Sequence, residues 1–522
     1  MKLKQPDIKG FTSDKKKIES SKPTPMMQQY LEVKDRHQDY LLFYRMGDFY
    51  ELFFEDAVLA SSVLGIALTK RGKLNDKDIP MCGVPAHASQ TYLSRLIDQG
   101  HKVAVAEQLE DKDSSPKNKK IFTRDVVKII TPGTILDDSL LDSKFNNHLA
   151  SISFVKGEIS ISWTDMSTGS IKLQTITGSN SINDVYELIN KIEPEEIILS
   201  DQINKIKLLD SRFNLFEKII SKVPNEFFDP QNNKLKIQDF FQNTAIESFG
   251  DLRESDFSAL GALINYVELT QKQNIPLIND FQIVNKLNFM QIDNFSMRSL
   301  EIFEKNDGQK TGCLLEVIDK TKTAAGGRLL KDYLKYPLIE NKEIKKRHQF
   351  VETFIKNSLT MTRIINLLSS QSDVERALSR VSAKINNPRD LLLLKNFIEN
   401  SEKIFLEVKE IKKKELEHLY PSKQSMKNAS RIKDLISKNI IEAPPINLNE
   451  GGVFRQYVSK DLDSLRNIKN EKQKEILAMQ EKYCRITNIS NLKIKFNNIH
   501  GYFIEVTNKN AEKISYSNEF KF

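Results

Sequence analysis

The sequence contains no run of 18 apolar residues, the length that reads as a bilayer-spanning helix, so no transmembrane segment is expected. Its N-terminus is charged and has no apolar stretch of the kind a signal peptide needs. Cysteine is scarce: Cys82, Cys313 and Cys484 are far apart, with no C-x-x-C and no neighbouring His pair. That excludes a zinc cluster or a disulfide framework and fits core or surface thiols in a reducing cytoplasm. Catalytic signatures are missing as well. There is no G-x-x-x-x-G-K-[ST] phosphate loop, no H-E-x-x-H and no G-x-S-x-G, and the 7 histidines are scattered. Gly308-Gln309-Lys310-Thr311-Gly312 lacks phosphate-loop spacing and reads as a plain loop, and Gly326-Gly327 falls in a helical stretch. Asp165 stands at a strand end, where ribonuclease H-like enzymes place a carboxylate. A metal nuclease needs several such groups, so an aspartate in a turn is the preferred reading. These residues argue against an enzyme and call for no cofactor or metal.

What is present is a long chain of ordinary globular composition. Its 522 residues exceed what one core can organise, and three or four domains are expected. The 78 Lys+Arg against 70 Asp+Glu leave a net charge of +8, compatible with a polyanionic partner without requiring one. Residues 1–23 form a Lys- and Ser-rich tail, expected to be disordered, and order begins at Met26. Between 24 and 128, helical stretches at 26–38, near Glu55 and at 89–99 alternate with buried strands at 41–44 and 103–106, which predicts a small α/β domain. Residues 111–120 read as a Lys-rich surface loop, and Thr131-Pro132-Gly133-Thr134 as a turn closing the strand 126–130. From 129 to 255, three strands joined by tight turns, a helix at 181–192 and a further strand at 196–199 suggest a ribonuclease H-like sheet.

From 256 the strand signal fades, and amphipathic stretches at 257–272, 323–335, 341–357, 374–382 and 388–412 predict an all-α region to 455. Val458, Leu462, Leu465, Lys469, Lys472, Ile476, Met479, Tyr483 and Ile486 then step by 4 and 3, a heptad-like stripe interrupted by two lysines. Strands at 492–496 and 501–506 follow, so 456–522 reads as a long helical arm tipped by a hairpin.

The most informative segment is Phe43-Tyr44-Arg45-Met46-Gly47-Asp48-Phe49-Tyr50-Glu51-Leu52-Phe53. If 49–53 is extended, Phe49 and Glu51 share one face while Tyr50 and Leu52 share the other. On a helix, Phe49 and Glu51 would point about 200° apart. An aromatic ring can insert between base steps and kink a duplex, and a carboxylate, repelled by phosphates, is useful beside DNA only toward a base edge. From composition alone, plain core packing of Phe49 is the stronger reading.

The segments Thr24 to Tyr30, Leu42 to Glu51, Leu68-Thr69-Lys70-Arg71-Gly72, Ile79 to Pro85 and Thr131 to Thr134 resemble bacterial members of the MutS family of DNA mismatch repair proteins. Asn387-Pro388-Arg389-Asp390-Leu391, Gly451-Gly452-Val453 and Phe496 to Tyr502 resemble the same family in the same order. The resemblance implies mismatch-recognition, connector, lever and clamp domains. It implies Phe49 as a stacking wedge and Glu51 as partner to the displaced base. Lys70 and Arg71 at an expected loop, and Lys493, Lys495 and Asn497 on one face of a strand, are candidate contacts to the DNA backbone, each weighed evenly against a plain solvated face, and the resemblance favours the clamp set. Arg376, Arg380 and Arg389 are expected to make internal ion pairs. The implied partners are duplex DNA with mismatches or small loops, a second copy of the full-length protein and a MutL-type repair protein, in a bacterial cytoplasm at the nucleoid. Full-length members bind ATP and Mg2+ through a C-terminal domain, which is expected to be absent from this chain. The alternative is a MutS-like structural or junction-binding protein without mismatch specificity, but such relatives lack the Phe-x-Glu pair.

Overall fold

A computed structural model describes residues 23–75, 77–109, 123–178, 181–202, 211–241, 250–278, 281–285, 288–411, 414–445, 448, 451–497 and 501–510. The expected N-terminal tail, the Lys-rich loop at 111–120 and Asn498-Ile499-His500 lie outside the described residues. Contacts divide the chain at Lys427/Asn428 into two compact units.

The first unit opens on a six-stranded mixed sheet. Its strands are β1 (Leu41–Met46), β2 (Phe49–Phe53), β3 (Thr69–Leu74), β4 (Lys77–Pro85), β5 (Val103–Gln108) and β6 (Arg124–Ile130), in the order β3-β4-β2-β1-β5-β6. Only β1–β5 is parallel; the other neighbours are antiparallel. Because side chains alternate across a strand, each face has its own core. Phe43, Tyr50, Leu52 and Val84 pack beneath α2 (Phe54–Leu64) and α3 (Ser89–Asp98). Leu42, Tyr44 and Phe53 pack beneath α1 (Pro25–Asp35) through Met27, Tyr30 and Val33. Thr24 caps α1 and Pro25 opens it, where a missing N–H does no harm. Buried Asp56 joins the layers, accepting from the Leu42 amide at 3.0 Å and from Lys34 at 2.9 Å.

A second six-stranded sheet follows: β7 (His148–Val155), β8 (Glu158–Asp165), β9 (Ser170–Ile176), β10 (Pro194–Ser200), β11 (Ile220–Val223) and β12 (Phe281–Ile283), in the order β11-β10-β7-β8-β9-β12. The expected antiparallel meander β7-β8-β9 and the crossover through α4 (Ser181–Ile192) are present, with β10 parallel to β7. One face packs on α4 through Val185, Leu188 and Ile189. The other packs on α5 (Pro230–Phe240) and α6 (Glu254–Gln271) through Ile237, Leu260 and Leu263.

Two expected boundaries move. Strand β6 runs through 129–130 as part of the first sheet, so that domain extends beyond 128. The all-α region does not begin at 256: α6 is buried nearly all round in the second core, and β12 pairs in parallel with β9. Periodicity marked α6 as a helix but could not say which core its apolar surface fills. Asp165 matches the preferred turn reading, accepting from the Asn147 amide at 3.2 Å and from Ser167 N and Oγ at 2.9 and 2.6 Å.

The helical part comprises α7 (Asn294–Ser299), α8 (Leu314–Ile318), α9 (Ala324–Lys335), α10 (Asn341–Lys356), α11 (Ser358–Ser369), α12 (Val374–Ser382) and α13 (Pro388–Glu410). The Asn387-Pro388-Arg389-Asp390 string builds the start of α13: Asn387 caps it, Pro388 occupies its first turn, and Asp390 accepts the Asn387 amide at 2.9 Å. Arg380 then binds Asp390 at 2.6 Å, and wholly buried Arg376 pairs with Asp373 and Asp138. Both arginines make the internal pairs expected of them.

Helix α14 (Lys423–Asn439) crosses the division between the units, and the second unit holds α15 (Lys460–Thr487) and the antiparallel hairpin β13 (Lys493–Asn497) and β14 (Gly501–Glu505). That unit begins at Asn428. Ile440 bridges Phe454, and Arg455 Nε and Arg466 Nη2 donate to the carbonyls of Ile440 and Phe454, both at 2.8 Å. These bonds tie the segment before 456 to the base of α15.

Candidate nucleic-acid interface

Phe49 and Glu51 stand on β2 as the extended reading predicted. Gly47 takes φ +60°, the left-handed conformation that a two-residue hairpin turn favours, and the Asp48 carbonyl accepts the Ala86 amide at 2.8 Å. The turn fixes the register: Phe49 lies between Met46 and Pro85, and Glu51 between Tyr44 and Gly83. Tyr50 and Leu52 point into the core. The Tyr50 hydroxyl donates to Glu107, and burial together with that carboxylate pushes its pKa up to about 12.

The outer face of β2 is covered at one end only. Phe53 is buried against the Tyr30 ring, with centroids 4.9 Å apart, whereas Phe49 is 47% exposed. Plain core packing of Phe49 is therefore not what the fold provides. Leaving about half of such a ring in water forgoes on the order of 1 kcal/mol of burial. Gly83 keeps the adjoining surface low: a Cβ there would lie 3.8 Å from Glu51 Cγ and 3.9 Å from Phe49 Cδ1. Ring, carboxylate and notch thus share one patch of the sheet.

Most of the cations predicted from the sequence already hold carboxylates. Arg71 Nη1 donates to both oxygens of Glu51, Lys70 pairs with Asp78 at 2.6 Å, and Lys495 pairs with Glu505 at 2.7 Å. All three cations are well exposed, so solvent screening leaves each pair weak. Lys493 is exposed and lies opposite Glu505 in the hairpin register, and Asn497 lies opposite Gly501. Two features escaped the sequence reading. One is the Gly83 notch, which depends on the β2–β4 register. The other is a cross-strand aromatic pair in the hairpin: Phe496 and Tyr502 are 58% and 63% exposed, with ring centroids 5.0 Å apart. Their hairpin spacing was the available signal.

The fold defines a multidomain protein of two mixed α/β domains followed by a helical part. Residues 24–139 match MutS domain I, 147–279 match MutS domain II and 296–512 match MutS domain III. The second match includes α6, in agreement with its packing. The chain is 37% identical over 509 residues to the DNA mismatch repair protein MutS of Rickettsia felis, covering 96% of this chain and 57% of that protein. It is 37% identical over 515 residues to MutS of Wolbachia pipientis, covering 93% and 60%, and 36% identical over 500 residues to that of Dinoroseobacter shibae, covering 95% and 56%. The chain belongs to the MutS family of DNA mismatch repair proteins. It spans somewhat less than two thirds of the length of these relatives. No helix among the described residues is long and apolar enough to cross a membrane.

Proposed function

We propose that this chain carries the mismatch-reading part of a DNA mismatch repair protein and binds duplex DNA at mispaired or looped positions. The observation that carries this reading is the exposed Phe49 ring beside the Glu51 carboxylate on the outer face of β2. Phe49 acts as a wedge that unstacks a base step and kinks the duplex. Unstacking costs least where pairing is already defective, so the wedge selects sites by deformability rather than by sequence. Glu51 accepts a hydrogen bond from the displaced base. Lys70, Arg71, Lys493, Lys495 and Asn497 supply sequence-blind backbone contacts, which weaken as salt rises. A junction-binding role without mismatch preference would leave the exposed ring beside an acid without a purpose.

In this reading the first domain recognises the mismatch, the ribonuclease H-like second domain is the connector, the helices are the lever, and α15 with its hairpin is the clamp. A second copy and a MutL-type partner belong to the full-length assembly, as does ATP with Mg2+. The residues present do not fit that nucleotide: the sequence has no phosphate loop, and among the described residues no group of three or more His, Cys, Asp or Glu could hold a metal ion.

Phe49→Ala tests the reading by fluorescence anisotropy on matched and mismatched duplexes. Loss of one aromatic stack removes about 1–3 kcal/mol, or roughly 5- to 150-fold in Kd for mismatched DNA, while weak homoduplex binding persists. An equal loss on both duplexes overturns the wedge assignment.

A further inference from the structure

Arg71 is two strands away from the residue it holds. It lies on β3, which pairs with β4, which in turn pairs with β2. The β3–β4 register runs regularly through Lys70↔Pro80, then shifts before Lys73↔Asp78, so Arg71 and Gly72 fall in the irregularity. Such an irregularity re-aims a side chain. β4 contributes Gly83 opposite Glu51, so no side chain of β4 stands over the carboxylate at that position. Arg71 Nη1 reaches both Glu51 oxygens; the Glu51 side chain is 13% exposed and that of Arg71 is 43% exposed.

This arrangement answers a difficulty in the reading proposed above, on which the inference rests. A bare carboxylate beside a wedge would be repelled by phosphates at every step of a duplex. A paired one is not, and a pair this exposed is weakly held. We propose that Arg71 is a specificity-determining positioning residue that works by exchange. It stays closed on Glu51 in the free protein and on properly paired DNA, where the Watson–Crick donors are already engaged by pairing. At a defective pair, Glu51 turns to the displaced base and the guanidinium is released to a backbone phosphate. Both charges stay partnered throughout, and the backbone contact is made only where the base has been read.

The exchange has a signature in salt dependence. Each phosphate engaged on duplex DNA changes the slope of log K against log salt by about 0.9, or roughly 3-fold in affinity between about 50 and 200 mM salt. Affinities of the chain and its Arg71→Gln, Glu51→Gln, Arg71→Lys and doubly substituted R71Q/E51Q forms are measured across that range on mismatched and matched duplexes. Arg71→Gln is expected to flatten the slope on mismatched DNA by about 0.9 and leave the matched slope unchanged. Glu51→Gln frees the guanidinium permanently, steepening the matched slope by the same amount, and the double substitution removes that gain. Arg71→Lys restores the mismatch slope. β3 is exposed along nearly all its length, so the Arg71 variants keep the fold, and circular dichroism checks this for them and for the Glu51 variants. The proposal is overturned if Arg71→Gln flattens both slopes equally, as a constant phosphate contact would, or lowers both affinities with no change of slope, as a purely structural role would. Unsubstituted protein that shows no mismatch preference overturns the wedge reading instead; preference with slopes insensitive to Arg71 overturns the exchange alone.

Discussion

Gly133 has no room for a methyl group. A Cβ there would sit 2.8 Å from both Glu196 Cβ and Leu149 Cδ1. Its amide donates to Glu196 at 3.2 Å, Tyr266 donates to the same carboxylate at 2.6 Å, and Thr131 and Ser221 donate to it as well. Lys102, just before β5, lies 3.3 Å from it. One buried acid therefore ties the first domain, the linking turn, the second sheet and α6 together, which accounts for the Thr131-Pro132-Gly133-Thr134 string. Gly133→Ala is expected to destabilise the fold by about 1–3 kcal/mol, as overpacking does, read as a lowered urea midpoint. A midpoint unchanged within error would show that the Glu196 site can yield.

At the scale of elements, α12 is held by its arginines. Arg376 is fully buried, and its guanidinium donates to the carbonyls of Asp142 and Phe145 at 2.9 and 2.8 Å and to Ser167 Oγ at 3.1 Å. Arg328 of α9 grips Asp373, the cap of α12, at 2.6 Å. These bonds fasten the helical part to the loop before β7 and to the turn after β8. Arg376→Met removes one partner only and leaves buried acceptors without donors, a loss of about 3–5 kcal/mol. Limited proteolysis is expected to cut near 138–145 sooner in this variant; an unchanged pattern would mean that α12 docks through its apolar contacts alone. The helix itself was legible in the sequence as 374–382, and internal pairing of its arginines was expected, but the partners of Arg376 beyond its own helix were not, because they lie more than two hundred positions away.

Stability of the whole molecule carries a pH dependence from the junction of β7 and α9. Burial, then neighbouring Lys335 and, more weakly, Lys172, pull the His148 pKa down to about 4, against opposing effects of Asp165 and the Ile192 carbonyl, which its Nδ1 meets at 2.8 Å. In the unfolded chain the imidazole titrates near its ordinary 6.5. Between these values the unfolded state binds more protons than the folded one, so stability is fully present above about 6.5 and is lost as the pH falls toward about 4. The loss is of the order of 1–3 kcal/mol. Urea midpoints at pH 7, 5.5 and 4.5 measure it, and His148→Gln is expected to flatten the trend; an unaltered trend would assign it to other groups.

The sequence by itself determined the elements and the most informative residues. Two-residue alternation placed Phe49 with Glu51 and Tyr50 with Leu52, and helical periodicity found α4 and α12, because both patterns are local consequences of backbone geometry. Tertiary structure alone decided what those faces meet. The reach of α1 buries Phe53 and leaves Phe49 open, the register of β4 sets a glycine beside Glu51, and the irregularity in β3 brings Arg71 onto that acid. The same holds for α6, whose apolar surface fills the second core although the amphipathic stretches from 323 onward belong to the helical part. Such facts depend on contacts between distant segments, and a periodicity along one segment carries no record of which segment will pack against it.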